Sequence, residues 1–337
     1  MRLDSPIYGS WDITEPVLVD LLASNTIQRL KGISQGGVPF QYCGTHTCSR
    51  YDHSVGVMLI LRKVGASVEE QAAGLLHDAS HTAFSHVADV VFGHTEKEDF
   101  QDLHHEQYLA RSDAADILRK YGFDFDRIAD CHQFSLLEQD APALCADRAD
   151  YTLHELLVAF GDNAGKVARC AQSIIAVDGK LCFNNIEEAT YFSKGYVKAQ
   201  DEHWGGQDKI VRYALFSEVL KAAIKRKILT MDDFWVDDVH CMDKILRSGA
   251  DDLLARLLLL EGTEKFSVVT DSLVNESCFE IAKKLRWIDP MVYLEDKKSC
   301  VQLSSVLREY KELLAAQRAR YKPKEYVLVD GWLKGKI

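Results

Sequence analysis

The sequence predicts a mainly α protein. A helical core covers residues 1–165, and a helical extension over 166–337 carries a small α+β portion and packs on the core as one unit. Three observations carry this expectation. Only six prolines occur in the 337 residues and none lies between Pro142 and Pro290, so helices can run unbroken through the middle. Apolar residues before residue 165 recur at spacings of three and four rather than two. Turn-punctuated, β-rich runs begin only after that core.

Taken in order, "HSVGVMLILRKV" (53–64) reads as a helix whose inward stripe is His53, Val57, Ile60, Leu61 and Val64. Ser67 and Glu70 form a capping-box pattern at the start of the next helix, where Val68, Ala72, Leu75 and Leu76 make the apolar face. His77 and Asp78 sit at its C-terminal end. Further helices are predicted over 84–92, 96–111, 113–120 and 143–160. "SIIAVDGKLCFNN" (173–185) reads as a β-hairpin turning at Asp178-Gly179. A long helix over 208–226 and two more within 232–261 follow. "KFSVVTDSL" opens a stretch of short strands mixed with the helix "LSSVLREYKELLAAQRARY", and "EYVLVDGWL" reads as a last strand.

The formal net charge of −11 lacks the basic footprint of a duplex nucleic-acid binder, so duplex binding is not expected. An anionic substrate must then be held by local cations or by a metal. Nine cysteines with no C-x-x-C pair are expected to be reduced thiols. The N-terminal "MRLDSPIYGSWDITEP" has no apolar leader segment, so a cytoplasmic location is expected. The longest apolar runs, "VGVMLIL" and "LLARLLLL", are too short to span a bilayer.

Twelve histidines occur, and eight of them lie between residues 46 and 105. Neutral imidazole ligates first-row metals and transfers protons near neutral pH, so this crowding points to a metal site with proton-transfer groups beside it. Three segments stand out. "SRYDHS" places Arg50 three residues before an inward His53. "LLHDASHTAFSH" holds three histidines and an aspartate. In "CADRADYTLHE", Asp147, Tyr151 and Glu155 share one helical face with Arg148 beside it, a polar face suited to a phosphorylated ligand.

The blocks "IQRLKGISQGG", "SRYDHSVGV", "HDASHTAFSH", "HHEQY" and "DRADY", in that order over residues 16–160, resemble the HD-domain metal-dependent phosphohydrolases. Within them the resemblance is to the deoxynucleoside triphosphate triphosphohydrolase branch. It implies an HD-domain catalytic core at 1–165 with a divalent metal (Fe, Mn, Ni, Co or Zn, and Mg with the nucleotide) on His53, His77, Asp78 and Asp147. It implies that His81, His86 and His105 are catalytic, with Asp89 and Glu106 as carboxylate partners. Arg50 and Arg148 would contact phosphate, Tyr151 and Glu155 would lie near the sugar, and Gln35 would read the sugar 3′-hydroxyl. Hydrolysis would release nucleoside and tripolyphosphate, in a homo-oligomer. Two alternatives stay open: a nucleotide monophosphatase or phosphodiesterase on the same metal frame, and a nucleotide-sensing protein with little turnover.

The chain departs from that branch in three places. Relatives commonly read "HDxGHGPFSH", whereas Ser80, Thr82 and Ala83 replace the Gly and Pro residues here. "YFSKGYVKAQDEHW" lacks the branch's downstream His-Thr-Arg pattern, with Tyr191, Tyr196, Lys198 and His203 as substitutes. No added regulatory domain is visible. These departures bear on triphosphate specificity rather than on phosphohydrolase activity.

Overall fold

A computed structural model describes residues 1–261, 266–269, 274 and 278–330. Helices make up 55% of the residues, so the mainly α expectation holds, and the small α+β portion lies toward the C-terminus as expected. Nine short strands are present among the described residues: β1 (Arg2–Ser5), β2 (Gly9–Asp12), β3 (Ile174–Val177), β4 (Lys180–Phe183), β5 (Phe266–Val269), β6 (Phe279–Ala282), β7 (Met291–Leu294), β8 (Ser299–Gln302) and β9 (Lys324–Val329). β1 and β2 form an N-terminal hairpin that the sequence reading missed. β3 and β4 form the expected hairpin. Asp178 and Gly179 both have positive φ, 50° and 71°, as a two-residue type I′ turn requires. That hairpin continues through a parallel β4–β7 pairing into β7–β8. β9 lies between β5 and β6, antiparallel to both. Residues 270–273 and 331–333, predicted as parts of strand segments, lie outside the described residues.

The central helix is Arg50–Lys63, starting three residues before the predicted helix because Ser49 and Asp52 form a capping box. Every residue from His53 to Leu61 is buried, so the expected stripe was too narrow. A helix apolar on all sides is one surrounded by others. It packs on Val68–Leu76 and on Ala146–His154. Ser67 caps Val68–Leu76 by accepting from the Glu70 N–H, but Glu70 does not complete a capping box. Its carboxylate accepts instead from the N–H groups of Leu136 and Leu137.

Two further helices begin late. The segment predicted at 84 starts at His86, since Phe84 and Ser85 both have positive φ. The one predicted at 96 starts at Phe100, after Glu98 at φ 55°. The helix predicted over 143–160 is α-helical only over Ala146–His154 and ends in a π-turn, Glu155–Ala159. Three helices, not two, occupy 231–258. The hydrophobic core mixes residues from both sides of residue 165, such as Leu59 and Leu153 with Phe192 and Tyr310.

Candidate metal centre and catalytic cavity

His53 lies in the first turn of its capped helix, His77 is the C-cap of Val68–Leu76, and Asp78 follows at once. Asp147 enters from the start of Ala146–His154. The ligand atoms of His53, His77 and Asp147 converge, and Asp78 flanks them. His53 Nε2 lies 3.2 Å from His77 Nε2, 3.0 Å from Asp147 Oδ1 and 3.5 Å from Asp78 Oδ2. His77 Nε2 is 3.4 Å from Asp147 Oδ1 and 3.6 Å from Asp78 Oδ1. Bonds of about 2.1 Å to one cation would set neighbouring donors roughly 3.0–3.5 Å apart, the spacing seen among His53, His77 and Asp147.

The outer partners fix which nitrogen faces inward. His53 Nδ1 donates to Asp150 Oδ2 at 2.7 Å, and His77 Nδ1 donates to the Gly74 carbonyl at 2.7 Å. Both rings therefore aim Nε2 at the common centre. Two imidazole lone pairs 3.2 Å apart repel unless a cation or proton lies between them, so this donor set fits a divalent metal. Burial lowers the His53 pKa, but hydrogen bonds to Asp147 and Asp150 outweigh it and raise the pKa to about 10. Asp147 is held well below the usual carboxylate range, since the two histidines outweigh its burial. A cation binds here in competition with protons.

Asp150 was not singled out from the sequence. Besides His53 it holds His154 Nδ1 at 3.0 Å and the Tyr8 hydroxyl. Gly56 makes room for it: a Cβ there would collide with Asp150 Oδ1. The available signal was its place in "DRADY", three residues after Asp147 on the same helix.

Around the centre, Arg50 donates from Nη1 to Asp78 Oδ2 at 2.6 Å and from Nε to Ser85 Oγ at 3.1 Å. Its Nη2 is buried without a partner among the described residues. His81 Nε2 lies 3.4 Å from Asp78 Oδ1, and burial with the nearby Arg50 charge lowers its pKa to about 3. His105 is lowered to about 4 by burial and His77. Its Nδ1 lies 2.8 Å from Ser80 Oγ, and Ser80 also bonds Gln101. Ser80, one of the departures from the family pattern, thus orients a histidine. His86 Nδ1 donates to Asp89 at 2.9 Å, and the His86 and His81 rings meet edge-on at 5.4 Å. Arg29 holds this loop from below through the Ala79 and His81 carbonyls.

A cavity of 100 Å³ opens beside His86 and shares His86, Glu98, Trp204 and Tyr213 with an adjoining cleft of 260 Å³. The four candidate ligands do not line it; His86 reaches toward them through the His81 ring, which lies against Asp78, and Tyr151 shares the Asp147 helix. Gln35, Tyr151 and Glu155 all line this cavity, and Gln35 Oε1 is buried without a partner among the described residues. Asp238 accepts from the N–H groups of Ser34 and Phe84, fastening the Gln35 loop to the turn before His86; burial raises its pKa to about 7. Two π-turns, Glu155–Ala159 and Gln200–Trp204, meet at the cavity where His203 donates to Glu155. Single π-turns often mark functional sites.

Two predicted residues reach neither the metal centre nor the cavity. Arg148 donates to the carbonyls of Gln139 and Ala143 and to Cys145 Sγ, bracing the preceding loop. Glu106 is exposed on the outer face of its helix, one position round from buried His105. Of the downstream substitutes, Tyr196 bonds Tyr151 at 3.0 Å and His203 pairs with Glu155. Tyr191 bonds Asp162, and Lys198 lies over Phe160. The sequence reading missed Lys209, Tyr213, Arg286 and Glu98 on the cavity wall. Despite burial, Arg286 and His86, with Lys284, lower the Glu98 pKa to about 2.

Comparison with known proteins decides the family. A family model for the HD domain matches residues 50–154. The chain is 34% identical over 330 residues to the uncharacterized protein YdhJ of Bacillus subtilis, covering 98% of this chain and 99% of that one. It is 33% identical over 309 residues to the metal-dependent phosphohydrolase cns2 of Cordyceps militaris, covering 89% and 87%. The chain belongs to the HD-domain metal-dependent phosphohydrolases. Two solved structures share this fold. A hypothetical protein from Aquifex aeolicus superposes with a TM-score of 0.68 at 16% identity, covering 98% of this chain and 96% of that one. A phosphohydrolase from Bacteroides thetaiotaomicron superposes with a TM-score of 0.60 at 15% identity, covering 99% and 100%. As an HD phosphohydrolase the chain acts on phosphorylated substrates, and no described helix is long and apolar enough to cross a membrane.

Proposed function

We propose that this phosphohydrolase cleaves nucleotides, with deoxynucleoside triphosphates as the first substrate class. One observation carries the reading: two buried polar atoms, one on Arg50 beside the metal centre and one on Gln35 in the cavity wall, lack partners among the described residues. Arg50 Nη2 is a donor suited to a phosphate oxygen, and Gln35 Oε1 is an acceptor suited to a sugar hydroxyl. Tyr151 and Trp204, edge-on at 5.1 Å, supply the apolar surface for the sugar and base between them.

In this reading His53, His77, Asp78 and Asp147 hold the divalent metal, which when bound polarises a phosphoryl oxygen and acidifies water. Arg50 orients the phosphate through Nη2. His81 and His105, neutral near pH 7 because burial lowers them, accept hydrogen bonds that orient the attacking water. His86, with Nδ1–H given to Asp89, acts as the imidazolium and passes its Nε2 proton to the leaving oxygen. The resemblance to the triphosphohydrolase branch supports cleavage between the sugar oxygen and the first phosphate.

Charge favours a second reading, removal of one phosphate from a nucleoside monophosphate. The basic side chains lining the cavity are Lys209 and Arg286, and Arg286 is paired with Glu98. Arg148 is tied to carbonyls elsewhere. A monophosphate needs fewer cations than a triphosphate.

The test is a panel of deoxynucleoside triphosphates and nucleoside monophosphates, incubated with the purified protein and Mn, Co, Ni, Fe or Zn in turn, with phosphorus products read by NMR. Tripolyphosphate and nucleoside are the expected products. Orthophosphate from monophosphates alone overturns the triphosphate reading in favour of the second. A metal-loaded protein that hydrolyses none of them sinks both.

A further inference from the structure

Next to the catalytic cavity lies a separate pocket of 260 Å³ that the proposed hydrolysis does not use. Its floor holds Gln200 and Gln317, 4% and 1% exposed. Gln200 Nε2 donates to the Lys284 carbonyl at 3.0 Å, while its Oε1 is buried without a partner among the described residues. Gln317 has both Oε1 and Nε2 in that state. Folded proteins leave few buried amides unpaired, because each unmade hydrogen bond destabilises the fold. Two such amides line one pocket with their unpaired atoms closed off from solvent, and a side-chain turn would offer two acceptors and a donor to a ligand that enters. That array matches a planar donor–acceptor edge.

The rim carries Lys283, Arg320 and Lys322. Glu325 neutralises Lys283 and Asp201 neutralises Arg320. Lys322 makes no ion pair among the described residues, so three cations against two carboxylates leave one positive charge over. The geometry points to a second ligand site here, for a small molecule that joins a planar donor–acceptor edge, met by Gln200 and Gln317, to one anionic group, met by Lys322. A nucleoside monophosphate and an amide-bearing amino acid share that chemistry.

The pocket is joined to the catalytic cavity through two elements. In the π-turn Gln200–Trp204, Gln200 lines the pocket and Trp204 lines the cavity. Along residues 283–286 the sides alternate. Lys283 and Leu285 line the pocket, Lys284 lines the cleft adjoining the cavity, and Arg286 lines the cavity itself. A ligand held by Gln200 moves the wall that carries Trp204 and Arg286, so it changes KM and leaves metal content unchanged. Only this kinetic consequence rests on the hydrolytic reading above.

Hydrogen–deuterium exchange of the metal-loaded full chain tests the site directly. The probes are nucleoside 5′-phosphonates, whose carbon–phosphorus bond resists hydrolysis, and separately glutamine and asparagine. One of these arms is expected to protect peptides covering 200–205 and 317–322 at millimolar concentration. Gln317→Leu should abolish that protection, and Lys322→Glu, a surface change, should weaken binding about tenfold. Hydrolysis without the probe should stay within about twofold of wild type in both variants. Protection absent at both peptides with every probe, or unchanged in Lys322→Glu and in Gln317→Leu, overturns the proposal. Protection is read at these peptides and not from turnover, so a failure of hydrolysis bears on the proposed function alone.

Discussion

The metal centre and the cavity wall beside it are held in opposite ways. Each candidate ligand is fixed by a short local device: a capped first turn for His53, a helix end for His77 and Asp78, a first turn for Asp147. The outward nitrogens of both histidines are already occupied, by Asp150 and by the Gly74 carbonyl. The wall is assembled from distant parts of the chain, with Glu98 paired to Arg286 and Glu155 to His203. Nearby polar atoms, Gln35 Oε1 and Arg50 Nη2, are left without partners among the described residues. The centre is preorganised, and in the proposed function the unpaired groups are the ones a substrate would complete. That proposal places substrate preference in the wall and the family's chemistry in the centre.

Asp150→Asn puts the largest strain on that distinction. It removes the carboxylate that fixes the His53 tautomer, and such outer partners typically contribute about 10–100-fold to metal affinity or activity. The expected outcome is loss of bound metal, read by elemental analysis across a chelator titration, with hydrolysis falling in parallel. Gly56→Ala should act in the same direction, because its new Cβ would collide with Asp150. Tyr151→Phe, on the wall, should raise KM with metal content unchanged. If Asp150→Asn keeps its metal and only KM rises, the centre is not held as described.

The same contrast explains what could be read in the sequence. Helix periodicity and caps depend on neighbours within four residues, so Val68–Leu76, Asp113–Lys120 and the β3–β4 hairpin were legible. The set His53, His77, Asp78 and Asp147 was expected from the family resemblance, and the structure brings His53, His77 and Asp147 within ligand distance of one another. The helix over 143–160 was misjudged because nothing in "HELLVAF" marks the extra residue of a π-turn. The strained turns at Phe84, Ser85 and Glu98 were invisible, since a non-glycine residue at positive φ gives no sign in its own letter. Arg286 and Glu98 meet across 188 residues, beyond the reach of any local pattern.

Arg148 belongs to neither region, and family resemblance and geometry disagree about it. The resemblance gives it a phosphate, whereas its guanidinium donates to Gln139 and Ala143. Arg148→Met is expected to lower stability by about 1–3 kcal/mol, the usual effect of losing charged hydrogen bonds and leaving carbonyls unpaired. Thermal unfolding reads that loss, and KM should change by less than about threefold. A rise in KM of roughly tenfold with unfolding unchanged would mean that the guanidinium turns to the substrate.

Glu106 carries the smallest expected effect and the sharpest contrast with its neighbour. His105 is buried and aimed at Ser80, and Glu106 is rotated about 100° round the helix into solvent. Glu106→Gln should leave stability within about 0.5 kcal/mol and leave kcat unchanged, as surface substitutions away from special features do. Ser80→Ala, by contrast, frees the His105 ring to rotate and should lower kcat with KM little altered. Both variants are compared by steady-state kinetics at one metal concentration. A kcat loss in Glu106→Gln matching that of Ser80→Ala would require the helix Phe100–Ala110 to turn and carry the carboxylate inward on substrate binding. The burial of Phe100, His105 and Leu109 on its inner face opposes that rotation, because all three would have to leave the core together.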